Sequence, residues 1–251
     1  MFILIYEKKL SHEKIKSFLY TKKKVLKIFL IFIFPLIEFF NFISTKNIAI
    51  IGDSRIVDIG VNLFGFSLNN ISPSYVRGTN IISTNFKSYG HYNCKIIAEN
   101  GASYSTFENR AERVHKGVIK VLSKSTSGTN VFLCLGVNNL DSKSTFNYYK
   151  SLAIKYKKLK FFVISVTGVA SKSKISNDKI KKFNSKMKSL IKKTRLSNLK
   201  FKSILLNNDP TKVAINNNVV LTIDDSTTDI WGLHYKKRGY KAIFKSMVYD
   251  L

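Results

Sequence analysis

Four short stretches of the chain hold the residue types that acyl chemistry uses: Ile51-Gly52-Asp53-Ser54, Glu99-Asn100-Gly101-Ala102-Ser103, Gly136-Val137-Asn138-Asn139 and Gly232-Leu233-His234-Tyr235. A serine hydroxyl is a poor nucleophile unless a base takes its proton, so Ser54 needs an imidazole within hydrogen-bond reach. His234 is the candidate base. An attacked carbonyl becomes an oxyanion, which demands preorganised donors, and losing one donor typically costs on the order of 10²–10³ in rate. A Ser after a Gly-Asp turn is by itself usually a helix cap, and a lone His is usually a surface or packed residue, so the stretches gain meaning only as a set. Of the other histidines, His12 and His115 lie in charged helical surroundings and His91 has no partner at ligand spacing. No metal and no cofactor are expected.

The elements that must bring these stretches together alternate in type from Lys46 onward. Short apolar runs at 47–51, 95–98, 130–135, 160–166 and 201–206 read as strands. Segments near 55–63, 104–122, 145–156 and 236–248 read as helices, and so does the region after Ser176-Asn177-Asp178, where Ile180, Phe183, Met187, Leu190 and Ile191 recur at helical spacing behind a ready cap. Continuous apolar strands separated by amphipathic helices predict a parallel sheet covered on both faces, because crossover helices bury both sides. The expected fold class is therefore α/β, a three-layer α/β/α sandwich around a five-stranded parallel sheet. Functional residues of such a sheet gather at the carboxyl ends of its strands. The first three stretches directly follow strands one, two and three, and the last lies just ahead of the closing helix.

As a set, the four stretches resemble the SGNH, or GDSL, hydrolases, whose name lists the Ser, Gly, Asn and His of these blocks. The resemblance runs from Asn47 to the C-terminus. It extends to Ile164-Ser165-Val166-Thr167-Gly168-Val169, similar to a stretch of extracytoplasmic members from Gram-positive bacteria, and to the helix that holds Ile180-Lys181-Lys182-Phe183-Asn184. It implies a flavodoxin-like strand order 2-1-3-4-5, a catalytic Ser54 with His234 as its base, and an oxyanion hole made of the Ser54 N–H, the Gly101 N–H and the Asn138 side-chain amide. A residue without Cβ at 101 suits that role by letting substrate approach the main chain. Family members usually carry Asp three residues before the histidine, where this chain has Trp231. Asp229, five residues before His234, is the expected orienting carboxylate, with Asp225 the second candidate; some members manage with a Ser-His pair and a backbone acceptor. Asn139 stands where the family often has Asp. With the implied strand order, strand one lies between Cys94 and Cys134, two spacings of about 4.8 Å, beyond a disulfide's Cα reach of about 7 Å. Both are expected as free thiols.

The function so implied is ester hydrolysis through an acyl-enzyme at Ser54, on O-acetyl or similar groups of a cell-surface glycan. Lipid or lysophospholipid esters, acyl transfer to a sugar, and a binding protein that kept the fold without turnover are the alternatives. Length and composition fit this. The chain has 251 residues, enough for one ordinary domain plus a short appendage. Its 45% hydrophobic and 13% aromatic content excludes a disordered basic tail, and two cysteines exclude a disulfide-rich scaffold or a four-Cys zinc site. Lys22, Lys23, Lys24 and Lys27 precede an apolar run that reaches Ile43 around Glu38 and Pro35, with no small-residue cleavage site after it. Residues 1–45 are therefore expected as a basic segment and hydrophobic signal-anchor helix, and 46–251 as the hydrolase domain, extracytoplasmic on a single-pass membrane protein. An amphipathic or buried N-terminal helix on a cytosolic protein is the other reading. The formal charge is +27, of which +6 lies in residues 1–46 and +21 beyond. The lysines are scattered and match no reader motif, so nucleic acid is not an expected partner. The expected partners are an acyl ester of a glycan or lipid and, through the N-terminal helix, the membrane, for a monomer.

Overall fold

The computed structural model describes residues 45–68, 78–169, 173–204, 233–235 and 237–251. Strand β1 (Lys46–Gly52) is its centre. Successive strand side chains point to opposite faces. Ile48 and Ile50 accordingly turn one way and Ala49 and Ile51 the other, and none of the four is more than 1% exposed. Two strands, β2 (Asn80–Ile82) and β3 (Lys87–Tyr89), pair antiparallel with β4 (Tyr92–Glu99), which runs parallel to β1. On the other side of β1 follow β5 (Asn130–Cys134), β6 (Lys160–Ile164) and β7 (Leu199–Lys202), all parallel. The parallel strands thus take the expected order, β4-β1-β5-β6-β7. Among the described residues the sheet nevertheless has seven strands, not five, because two antiparallel ones join the parallel five. Asn80-Ile81-Ile82 and Lys87-Ser88-Tyr89 are too short and too polar to register as apolar runs.

Helices α1 (Ser54–Phe64) and α6 (Lys237–Val248) cover the face that carries Ile48, Ile50 and Phe132. Past a single short turn of helix, α2 (Tyr104–Glu108), come α3 (Arg113–Ser123), α4 (Ser142–Lys155) and α5 (Asn177–Thr194), which cover the face of Ala49, Ile51 and Leu133. Each fully buried Ile, Leu or Val contributes about 1.5–3 kcal/mol, so both faces of the sheet carry a core.

Local chemistry explains where the elements depart from the apolar pattern. The helix expected over 104–122 is broken because Asn109 closes a turn, its side chain accepting from Ala111 N at 3.1 Å and its carbonyl from Glu112 N at 3.0 Å. Such local side-chain bonds compete with the helical ladder. The fifth parallel strand begins two residues before the expected 201 and ends at Lys202; it alternates Leu199 and Phe201 with Lys200 and Lys202, as an edge strand can. Cys134, read as interior to its strand, is the last residue of β5. The hydrophobic helix expected before residue 45 lies outside the described residues. Among the described residues no helix is long and apolar enough to cross a membrane.

Candidate active site

The turn that presents Ser54 is possible because residue 52 has no side chain. A Cβ there would stand 2.2 Å from Ile56 Cγ1 and 3.0 Å from the Cys134 carbonyl oxygen, so only glycine lets α1 fold straight back from β1. Asp53 caps the helix, its Oδ1 accepting from Arg55 N at 3.1 Å. Ser54 is the first helical residue, where the positive end of the helix dipole favours developing negative charge. The Asp53 carboxyl faces an apolar cleft lined by Ile56, Ile59 and Ile164. Burial raises it from an ordinary 3.8 to about 6, partly offset by the Arg55 charge, the Arg55 N–H, His234 and the Val137 N–H.

His234 is seated against α1. Its Nδ1 lies 2.5 Å from Asp58 Oδ2, and the Tyr240 hydroxyl donates to the same carboxylate oxygen. Asp58 follows Ser54 by four residues on α1, which places the two on one face of the helix. The imidazole is thereby tied to α1 at a residue one helical turn beyond Ser54. Arg55 fastens the flanking main chain: its Nε donates to Leu233 O at 3.0 Å, Nη1 to Thr167 O at 2.8 Å, and Nη2 to Gly168 O at 2.9 Å. The guanidinium lies 5.0 Å above the Tyr235 ring, and the Tyr235 hydroxyl donates to Gly168 O. The loop after β6 is clamped from its far side by α5. Asn184 accepts from Val166 N at 2.9 Å and donates to Val166 O at 2.8 Å, and Asn177 does the same for Val169 at 2.9 and 3.0 Å.

The oxyanion candidates meet at the ends of β4 and β5. Gly101 is exposed with φ +75°, a left-handed conformation that favours glycine. The neighbouring amides are engaged, Asn100 N on Thr79 O at 2.9 Å and Ala102 N on Glu99 O at 3.2 Å. Asn138 Nδ2 donates to Ala102 O at 3.0 Å, tying the third stretch to the second. A carboxamide nitrogen carries two hydrogens, so this bond leaves one for a ligand. Behind it the buried Tyr149 hydroxyl accepts from Leu135 N at 2.8 Å and fixes the end of β5. Asn139 holds a turn, accepting from Asp141 N at 3.0 Å.

Ser54, Gly101 and Asn138 therefore lie past the carboxyl ends of β1, β4 and β5, and His234 meets Asp58, four residues beyond Ser54 on α1. Asp229 and Asp225 lie outside the described residues. Asp58 and Arg55 escaped the sequence reading. The spacing of Asp58 from Ser54 was visible, but an acid within an amphipathic helix reads as part of its solvated face, whereas its side chain is 13% exposed. His115 packs locally, its Nδ1 2.7 Å from Phe107 O, and among the described residues no cluster of three His, Cys, Asp or Glu could hold a metal. Cys94 pairs in register with Ile48 and Cys134 with Gly52, on opposite sides of β1. Burial pushes both thiols well above their ordinary value, which disfavours the thiolate needed for attack.

No protein-family model and no curated protein matches the chain. Solved structures do. A Streptococcus pneumonia protein named for platelet activating factor superposes with a TM-score of 0.51 at 17% identity, covering 81% of this chain and 83% of that one. A GDSL-like lipase from Bacteroides thetaiotaomicron gives 0.47 at 16% identity over 80% and 85%, and an acetylxylan esterase from Geobacillus stearothermophilus 0.48 at 10% over 82% and 94%. At such identities the likeness is one of fold.

Proposed function

We propose that the chain is a serine ester hydrolase of the SGNH type. The observation that carries the reading is the docking of His234 onto the helix that begins with Ser54, together with an exposed Gly101 turn whose neighbour Ala102 is bonded to Asn138. Ser54 Oγ attacks the ester carbonyl as its proton passes to His234 Nε2. The oxyanion receives the N–H groups of Ser54 and Gly101 and the free amide hydrogen of Asn138. Collapse breaks the bond to the alcohol, whose oxygen takes the proton back from His234, leaving Ser54 acylated. Water then attacks the acyl carbonyl with His234 again accepting the proton, and Ser54 departs with it.

The substrate that fits best is an O-acetyl or similarly short ester on an acidic glycan. The basic domain surface, +21 beyond residue 46, favours an anionic polymer over a neutral one. Residues 1–45 would hold the domain at the outer face of the membrane. The full-length protein should hydrolyse p-nitrophenyl acetate and label with a fluorophosphonate, and Ser54→Ala should abolish both. Equal turnover in the variant would refute the serine mechanism, and a wild type that neither turns over nor labels would leave a binding protein.

A further inference from the structure

The carboxylate seated on His234 comes from an unexpected element. We propose that Asp58 is the positioning carboxylate of His234, so that α1 carries both the nucleophile and the group that holds its base. This rests on the reading of Ser54 and His234 as nucleophile and base. Asp58 lies on the buried side of α1 between Val57 and Ile59, where a carboxylate is costly unless its oxygens are bonded. Its Oδ2 lies 2.5 Å from His234 Nδ1. A carboxylate only accepts hydrogen bonds, so Nδ1 carries the proton of that contact, which makes Nε2 the basic nitrogen of the neutral ring.

The rest of the surroundings hold this geometry. Tyr240, from α6, donates its hydroxyl hydrogen to Asp58 Oδ2 and accepts from Tyr235 N at 3.2 Å, so one phenol ties the carboxylate to the main chain next to His234. Burial, with the Asp58 charge second, pushes the Tyr240 phenol well above its ordinary value, and it stays a donor. Arg55 grips Leu233 O on the other side of the imidazole. Nucleophile, carboxylate and guanidinium thus all come from residues 54–58 of one rigid helix. During the reaction the Ser54 proton rests on Nε2 and leaves with the alcohol. Asp58 takes no proton; its charge stabilises the imidazolium while that exists.

The test compares full-length wild type, Asp58→Asn, Asp58→Glu and Asp229→Asn by steady-state kinetics across pH and by NMR titration of the His234 ring. Asp58→Asn should lower kcat on the order of 10²–10⁴-fold with KM little changed, and lose more than Asp229→Asn. Asp58→Glu should recover part of the loss. Among the described residues the charged and titratable groups facing the ring are Asp53 at the N-cap of α1, Asp58 and Arg55 from α1, Tyr240 from α6, and Tyr235 beside it. Removing the Asp58 charge favours neutral imidazole, so the acid limb of kcat/KM and the His234 titration should both move to lower pH. A folded Asp58→Asn protein whose His234 titration is unmoved, or a larger loss in Asp229→Asn, overturns the proposal. The NMR readout needs no turnover, so failure of the hydrolase reading, seen as an inactive and unlabelled wild type, is distinguished from failure of this one.

Discussion

Asp53 sits at the turn beside Ser54 as a buried acid whose carboxyl is raised to about 6, desolvation outweighing the Arg55 charge. Unfolded, the same group would titrate at its ordinary 3.8. The folded state therefore binds this proton more tightly. The resulting stabilisation is fully present below about 3.8 and is lost as the pH rises through about 6, amounting to at most about 3 kcal/mol. Asn at this position keeps a capping oxygen and carries no charge. Asp53→Asn should therefore gain in Tm relative to wild type by several degrees between pH 4 and pH 8, measured by thermal unfolding. A difference that shrinks with rising pH would mean that the carboxylate is stabilised at the turn.

The site is positioned by a few backbone junctions between elements. The β1–α1 junction needs Gly52, since a methyl there would press on Ile56 Cβ at 2.8 Å as well as on the Cys134 carbonyl. Gly52→Ala should lower stability by about 1–3 kcal/mol, read as a reduced denaturation midpoint with unchanged slope. It should also lower esterase activity beyond any loss of folded protein, because Ser54 is the second residue past the strand. A variant as stable and active as wild type would show that Ile56 and α1 can shift without displacing the nucleophile. The second junction runs from α5 through the 166–169 loop to Arg55 and on to Leu233. A helix on one face of the sheet thereby helps hold a histidine on the other.

For the whole molecule, the charge and the core occupy different places. On α5, Lys179, Lys181, Lys182, Lys186, Lys188, Lys192 and Lys193 are all exposed, while Ile180, Phe183, Met187 and Ile191 are buried. The seven lysines of α5 thus make no demand on the packed interior. They are available to an anionic surface, and their pull weakens as salt shortens the Debye length. If residues 1–45 anchor the domain outside the membrane, protease added to intact cells should degrade residues 46–251 without permeabilisation. Degradation only after permeabilisation would place the domain inside.

Much of this was legible in the linear chain. Apolar runs and helical spacing are local properties, and burial of both sheet faces forces them into alternating layers, so the parallel strands and the places of Ser54, Gly101 and Asn138 could be read directly. Short edge strands such as β2 and β3 have too few residues to show a period, and Asn109 broke a helix through a side-chain bond that periodicity does not register. The sequence by itself determined which sheet edge the motif stretches of Ser54, Gly101 and Asn138 follow, because each lies directly after a strand. Only the tertiary structure decided which carboxylate lies against His234. That contact joins residues 176 apart in the chain, and it exists because Arg55 and Tyr240 dock segment 233–235 on α1, which no local pattern encodes.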